Sequence, residues 1–329
     1  MTEDLIRRLK KKLLKDEEPL TFDEAYNLAL LEGEYLFDLI GLSYRVKEKY
    51  NRRGVYLCSI ISAKTGACSE NCAFCAQSAH SESPVSAHPM MDPPEILKVA
   101  REAEGSGASE FCIVTSGRGP DKRTFKRVLD AVYLIRSHTG LSVGCSLGIL
   151  TEEQARLLFK AGVNRYNHNL EASRSFFPSI CSTHTYEERL RTAYLVKENG
   201  MELCCGGIFG MGESLERRIE LAFELRELNP TLVPINFLNP RPGTALATRP
   251  LLTPFDAISI VALFRLILPR SILICAGGRE VVLGNLQPLA LLAGANALIA
   301  GNYLTTPGRL PKEDIQMIGD LKLPVLKHG

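Results

Sequence analysis

Three cysteines stand close together in the sequence CSENCAFC, at Cys68, Cys72 and Cys75. Thiolates bind zinc and iron–sulfur clusters, so this C-x3-C-x2-C spacing points to a metal. A closed structural zinc site takes four protein ligands, usually as two paired knuckles, and no second knuckle follows this loop. A cubane iron–sulfur cluster held by three thiolates would leave one iron open to another ligand. The loop therefore favours an open iron cluster over zinc completed by a distant residue, or over a chance grouping of thiols.

The chain of 329 residues contains ten cysteines in all. Its N-terminus is charged and lacks the apolar run and small-residue cleavage site of a secretory signal. Without such a signal, we expect a cytoplasmic protein. Because thiols in the cytoplasm stay reduced, its cysteines should serve metal or redox chemistry rather than disulfides.

Composition excludes two classes of partner. The formal net charge is only +2, and no basic stripe interleaved with aromatic residues indicates a nucleic-acid surface. The longest apolar stretch, 286–300, is interrupted by Pro288, Gly294 and Asn296 and is shorter than the roughly 20 residues that span a bilayer. The basic run at 7–12 accompanies leucines at helical spacing, which predicts the solvated face of an amphipathic helix. We therefore expect a small-molecule partner, with no nucleic acid and no membrane.

Short β-branched runs alternate with helical patterns along the chain. The eight strand candidates span residues 55–62, 110–116, 141–147, 163–170, 201–209, 232–238, 272–276 and 297–301. The helical patterns span residues 93–105, 124–136, 152–161, 186–198, 215–228, 253–268 and 281–292. This alternation predicts an α/β fold, a (β/α)8 TIM-type barrel, with an open doubly wound sheet as the alternative.

The region before the first strand has a different pattern. Thr21 and Glu24 form a capping-box pattern ahead of apolar residues at helical spacing. We expect residues 1–53 to form an N-terminal helical cap and residues 54–329 to form the barrel and a C-terminal tail. The cysteine loop then follows the first strand, at the barrel mouth where such folds carry their chemistry.

The loop, with Phe74 before its last cysteine, resembles the radical S-adenosylmethionine (SAM) superfamily. Further words resemble the biotin synthase family within it, over nearly the whole span from Leu57 to Pro307. They are KTGACSENCAFCAQS, EFCIVTSGRGP, YNHNLE, TYEERL, CGGIFGMGE, VPINFL, AGGRE and LTTP, in the family's order. The resemblance implies radical SAM-dependent conversion of dethiobiotin to biotin, with sulfur donated by an auxiliary iron–sulfur cluster.

The resemblance also implies residue roles. Cys68, Cys72 and Cys75 would hold a [4Fe–4S] cluster whose open iron binds SAM. The implied SAM contacts are Phe74, Asn169, Glu171 and Arg189. The implied dethiobiotin contacts are Asn169, Asn236, Thr305 and Thr306. A strand asparagine or a Thr-Thr pair before proline is otherwise ordinary turn or cap chemistry.

The auxiliary cluster of the family is normally [2Fe–2S], held by three cysteines and one arginine. The cysteines match Cys112, Cys145 and Cys204, whereas Ile274 stands at the arginine position beside Cys275. Because neighbouring strand residues face opposite sides, only one cysteine of the pair Cys204 and Cys205 faces the interior, as does only one of Ile274 and Cys275. We expect a different auxiliary cluster, such as a cubane. Its fourth iron would take Cys275 or a non-protein ligand such as sulfide.

Cys58 and Cys181 fall in no matching ligand word, and are expected to be buried small hydrophobes. The family implies a reducing electron-transfer protein of the flavodoxin or ferredoxin type, and we expect a homodimer. The alternatives are another barrel radical SAM enzyme, such as a hydrogenase maturase or a methylornithine-type mutase, and a non-catalytic iron–sulfur or zinc protein. The cysteines at 112, 145 and 204 argue against the first alternative, because such enzymes need no sulfur donor.

Overall fold

The computed structural model describes residues 2–327. Its strands are Val55–Lys64 (β1), Glu110–Thr115 (β2), Ser142–Ser146 (β3), Arg165–Asn167 (β4), Glu202–Cys204 (β5), Gly207–Phe209 (β6), Leu232–Phe237 (β7), Ile272–Cys275 (β8), Ala297–Ile299 (β9) and Val325–Leu326 (β10). Its α-helices are Thr2–Lys11 (α1), Phe22–Ala29 (α2), Tyr35–Tyr50 (α3), Pro93–Gly105 (α4), Lys122–His138 (α5), Glu152–Ala161 (α6), Tyr186–Glu198 (α7), Leu215–Leu228 (α8), Pro254–Ile267 (α9), Arg279–Leu283 (α10), Gln287–Leu292 (α11) and Pro311–Asp320 (α12).

The sheet closes into an eight-position parallel barrel, as predicted. β1 pairs with β2 on one side and with β9 on the other, and every pairing between named strands is parallel. This closure excludes the open doubly wound sheet, in which the first and last strands do not meet. Helices between the strands cover the outside, and their apolar faces form one continuous core with the outer strand faces.

The fifth barrel position departs from the prediction of a single strand over 201–209. It consists of two short strands, β5 and β6, separated at Cys205 and Gly206. A Cβ atom on Gly206 would lie 2.0 Å from the carbonyl oxygen of Pro234, so the chain approaches β7 more closely than a side chain allows. The glycine permits this approach, and the ladder breaks there.

Two further departures concern the C-terminal part. The predicted helix over 281–292 is three pieces, with a 3-10 turn at Gly284–Leu286 between α10 and α11. The strand β10, which lacked a sequence signal, pairs with Val55 and Tyr56 at the start of β1. Its Leu326 packs into the barrel interior and closes the end opposite the cysteine loop.

The N-terminal helices pack beside the barrel. The predicted capping box is present, since the Thr21 hydroxyl accepts from the Glu24 amide and the Glu24 carboxylate accepts from the Thr21 amide. Ser43 and Lys47 on α3 donate to the carbonyl oxygens of Ala293 and Leu291. No helix among residues 2–327 combines the length and apolar character needed to cross a bilayer.

A buried ion pair joins the start of α10 to α12. Arg279 of the word AGGRE donates to both carboxylate oxygens of Asp314, at 3.0 and 2.6 Å, and both side chains are fully buried. Tyr303 accepts a further hydrogen bond from Arg279 Nε. Arg279 therefore has a structural role in this fold, linking two helices.

Asp314→Ala should lower the free energy of unfolding by about 3–5 kcal/mol, because the buried, charged Arg279 loses the carboxylate that accepts two of its hydrogen bonds and keeps only the longer ion pair with Glu280, at 3.4 Å. Denaturant titration followed by circular dichroism would measure this loss. The matched control is Asp130→Ala, which removes the exposed pair with Lys126 on α5. Surface pairs contribute little, so that variant should resemble wild type, and equal losses in both would contradict the assignment.

Candidate active site

The cysteine loop follows β1 and is held at both ends by backbone hydrogen bonds. The Cys68 amide donates to the Gln77 carbonyl at 3.1 Å, and the Ala79 amide donates to the Cys68 carbonyl at 2.7 Å. The Ala73 amide donates to the Ile180 carbonyl at 2.8 Å, which ties the loop to the segment before α7. The loop is therefore a fixed structure over the mouth of the barrel.

The three loop thiols are half-buried and influence one another. Burial raises the pKa of the Cys75 thiol, and the nearby Cys68 raises it further. Burial also raises the pKa of the Cys72 thiol well above its usual range, with Cys181 and Cys75 adding to the effect. Cys72 and Cys75 are therefore protonated without a metal, and bound iron ions would displace the protons. The donor set fits a cluster with three thiolate ligands.

A fourth thiol lies beside this loop. Cys181 Sγ is 3.8 Å from Cys72 Sγ and 3.3 Å from His184 Nδ1, and one ligand atom from each of the three residues lies within 4.8 Å of the others. His184 Nδ1 also contacts a carboxylate oxygen of Glu70 at 2.5 Å. Sequence analysis treated Cys181 only as a buried hydrophobe, because no spacing signal connects it to a loop more than one hundred residues away.

Asn169, Glu171 and Arg189 form a second polar group next to the loop. Asn169 Nδ2 donates to Glu171 at 3.3 Å, while Asn169 Oδ1 accepts from the Gly206 amide at 3.1 Å. Arg189 donates to the other Glu171 oxygen at 3.4 Å. Burial raises the pKa of the Glu171 carboxyl, although Arg189 and Asn169 oppose the rise. Glu171 has a backbone φ of +69°, in the left-handed region that residues other than glycine seldom adopt.

A cavity of about 320 Å³ opens between the loop and the strand ends. It brings together six of the residues expected from the sequence, namely Phe74, Cys75, Asn169, Asn236, Thr305 and Thr306. Asn236 is fixed in the wall, since its amide donates to the Gly207 carbonyl at 3.2 Å and accepts from the Gly277 amide at 2.9 Å. Larger surface depressions lie beside α2 and α9 and beside α12, away from the thiols.

Arg241 also lines this cavity, and sequence analysis missed it. Its Nε atom is buried and has no hydrogen-bond partner among residues 2–327. The only available signal was its position three residues after the word VPINFL, in a loop rather than in a strand. The cavity therefore contains a cation in addition to the expected hydroxyl and amide groups.

Below the cavity, the barrel interior contains a layer of thiols. Cys58 and Cys204 pack there together with Ile274 and Ala276, and all four side chains are buried. Cys112 belongs to the same face, because Asn167 of the cavity wall donates to its Sγ atom at 3.2 Å. We call Cys58, Cys112 and Cys204 the interior thiols.

The other strand cysteines face outward. Cys145, Cys205 and Cys275 belong to the core between the strands and the helices. Cys145 and Cys275 each directly precede a cavity-lining residue, Ser146 or Ala276, so alternation places their side chains on the opposite face. The interior position of β8 is taken by Ile274, which contributes no ligand atom. This placement does not fit the sequence expectation for Cys145, or the tentative ones for Cys205 and Cys275.

Two family models match the chain. Residues 63–225 match the radical SAM superfamily, and residues 234–323 match the biotin and thiamin synthesis associated domain. The first match contains the cysteine loop and the polar group of Asn169, Glu171 and Arg189. The second contains the far wall of the cavity.

Sequence relatives cover nearly the entire chain. A biotin synthase of Pelotomaculum thermopropionicum is 47% identical over 99% of this chain and 100% of its own length. A biotin synthase of Heliobacterium modesticaldum is 49% identical over 92% of this chain and 93% of its own. That of Frankia alni is 49% identical over 92% of this chain and 87% of its own.

Solved structures agree on the fold. A methylornithine synthase superposes with a TM-score of 0.84 at 19% identity, covering 97% of each chain. An [FeFe]-hydrogenase maturase superposes with a TM-score of 0.82 at 16% identity, covering 97% of this chain and 74% of its own. At these identities the likeness shows the barrel fold alone, whereas the full-length sequence relatives identify the family. The chain belongs to the biotin synthase family of radical SAM enzymes.

Proposed function

We propose that this chain inserts sulfur into dethiobiotin to form biotin, using SAM, a [4Fe–4S] cluster and an auxiliary iron–sulfur cluster. One observation carries the proposal beyond family membership. The cavity lies between two separate groups of thiols, the loop thiols at its mouth and the interior thiols beneath its floor. A substrate in this cavity has a radical source on one side and a sulfur source on the other.

Cys68, Cys72 and Cys75 are the proposed ligands of the [4Fe–4S] cluster. When bound, the reduced cluster and SAM together supply the one-electron cleavage chemistry that activates a C–H bond. The chain's own groups orient the cofactor: Glu171 accepts from the ribose hydroxyls, and Arg189 pairs with the methionyl carboxylate. Phe74 and Asn169 line the cavity beside them and exclude water from the reacting atoms.

The opposite wall binds the substrate in this proposal. Asn236 presents an amide to the ureido ring, held in place by its hydrogen bonds to β6 and to Gly277. Thr305 and Thr306 donate to the valerate carboxylate. The half-buried Arg241 guanidinium in the same wall supports an anionic substrate group, because its buried Nε atom lacks a partner among residues 2–327 and a carboxylate would supply one.

The auxiliary site contains Cys112 and Cys204 in the interior layer. The arginine position of the family is filled here by Ile274, which faces the interior on β8, while Cys275 faces outward. We propose a four-iron cluster whose fourth iron takes a non-protein ligand such as sulfide. Such a ligand can leave without removing a protein ligand from the cluster.

An electron donor of the flavodoxin or ferredoxin type is part of the proposal, since the family requires a reductant.

We also propose a homodimer. Leu30, Phe37 and Phe255 line one surface groove and are about half exposed or more, which is unusual for a monomer surface. Sedimentation velocity of the reconstituted protein should give twice the mass of one chain, and a single-chain mass would contradict the dimer.

The test of function is an anaerobic assay of the protein reconstituted with iron and sulfide. With reductant, SAM and dethiobiotin, we expect both 5′-deoxyadenosine and biotin by mass spectrometry. Cys72→Ala should abolish both products, because the loop then lacks a thiolate. Cys181→Ala is the matched control, since it removes a thiol 3.8 Å from Cys72 that is not a proposed ligand.

Each result has a defined meaning. Deoxyadenosine without biotin in wild type would move the chain to another radical SAM activity. The absence of both products would contradict the radical SAM assignment. Loss of both products in Cys181→Ala would show that the fourth thiol is required as well.

The raised pKa of Glu171 predicts a pH dependence of stability. The folded carboxyl binds its proton more tightly than the unfolded one, whose pKa is about 4.3. The free energy of unfolding of wild type should therefore fall, relative to Glu171→Gln, as pH rises from about 4.3 through the raised pKa. Denaturant titrations of both SAM-free proteins between pH 4 and pH 9 measure the difference, and a difference independent of pH would refute the shift.

A further inference from the structure

The third thiolate of the auxiliary site is the open question in the barrel interior. We propose that Cys58 on β1, and not Cys145 on β3, completes the ligand set with Cys112 and Cys204. The proposal rests on the proposed function for the existence of that cluster. It replaces the ligand expected from the resemblance by a residue without a matching ligand word.

Proximity alone does not separate the two candidates. Burial raises the pKa of the Cys112 thiol, and Cys145, Cys204 and Cys58 each raise it further, so all three lie near Cys112. The two cysteines differ in the direction that their side chains face. Cys58 and Cys204 pack together on the interior face, whereas Cys145 is aligned with Ile113 and Tyr166 on the outer face.

Gly144 confirms which face of β3 points inward. A Cβ atom on Gly144 would lie 3.4 Å from Cys112 Cβ and 3.5 Å from Cys112 Sγ, so Gly144 shares the face of Cys112. Its neighbour Cys145 therefore faces away. β3 contributes to the interior at this level only a residue without a side chain, and the space beside Gly144 is bordered by Cys112 and by a Glu110 carboxylate oxygen, 3.3 Å from that Cβ position.

The interior layer also has small neighbours on the other side. Ala276 and Ala297 belong to the same packed group as Cys58 and Cys204. Cys58 precedes the cavity-lining Ile60 by two residues, which is about 6.6 Å along a strand. Cys112 has the same relation to Val114, so both thiols lie one layer beneath the cavity floor.

A buried cation adjoins two of these thiols. Arg165 on β4 is 2% exposed and pairs with the buried Glu110 and with Glu202, whose side chain is 49% exposed. Burial raises the pKa of Cys58 and of Cys204, and the Arg165 guanidinium opposes that rise in both. Burial is the one cause that raises the pKa of Cys145. Arg165 therefore lies close to Cys58 and Cys204, and its charge is shared with two carboxylates.

Ligation by Cys145 would need a change of strand register. Shifting β3 by one residue would turn Gly144 and Ser146 away from the interior and turn the side chain of Cys145 into it. It would also displace the Tyr166 hydroxyl, which donates to the Gly148 carbonyl at 2.7 Å and accepts from the Leu147 amide at 3.0 Å. Cys58 needs no such rearrangement.

The test compares Cys58→Ala with Cys145→Ala, two buried cysteines on neighbouring sides of Cys112. Each full-length protein is reconstituted anaerobically, and iron and acid-labile sulfide are counted per chain beside Mössbauer spectra. Cys58→Ala should lose the barrel-bound iron, about half of the total if each cluster has four irons. Cys145→Ala should keep the wild-type count and spectrum, with circular dichroism confirming that both variants fold.

A second pair protects the test against misfolding of the alanine variant. Cys58→Ser keeps a small side chain with an oxygen donor and should change the Mössbauer parameters of the barrel cluster, whereas Cys145→Ser should leave them unchanged. Iron loss in Cys145→Ala, alone or together with Cys58→Ala, would overturn the proposal, as would wild-type spectra in both Cys58 variants. Wild type with iron only at the cysteine loop would overturn the proposed function as well, so the two failures are distinguishable.

Discussion

The closure of β1 against β9 is the constraint on which the site depends. In a closed parallel barrel, every second residue of each strand points at a common axis, and the residues between them point at the helices. Groups far apart in sequence, such as Cys58, Cys112 and Cys204, then share one small volume. The same alternation sends Cys205 and Cys275 into the outer core, although each adjoins an interior residue in sequence.

Chemistry is layered along that axis. Leu326 closes one end of the barrel. The interior thiols come next, then the cavity, and finally the cysteine loop over the mouth. Burial raises the pKa of the interior thiols, which stay protonated until a metal replaces the protons.

The loop and the barrel are stabilised by different means. The loop is held by backbone hydrogen bonds. On one side Cys68 bonds to Gln77 and Ala79, and on the other side Ala73 bonds to Ile180. The far wall depends instead on buried charge, since Arg279 and Asp314 fix α10 against α12. The reacting residues therefore sit on a rigid frame, with Asn236 and Asn169 oriented by backbone groups of neighbouring strands.

The sequence by itself determined the barrel and the cysteine loop. Hydrophobic periodicity and the residues that end helices were strong enough signals to place α4, α6, α7 and α8 at their observed bounds. The spacing of Cys68, Cys72 and Cys75 is likewise a local signal. Tertiary structure alone decided which strand cysteines face inward, because a strand buried on both faces has no polar alternation to reveal its orientation. It alone brought Cys181 to Cys72 and Arg241 into the cavity wall, since no pattern of spacing encodes contacts between residues so distant in the chain. It also decided the break at Gly206, which depends on how closely β7 approaches, and the pairing of β10 with β1.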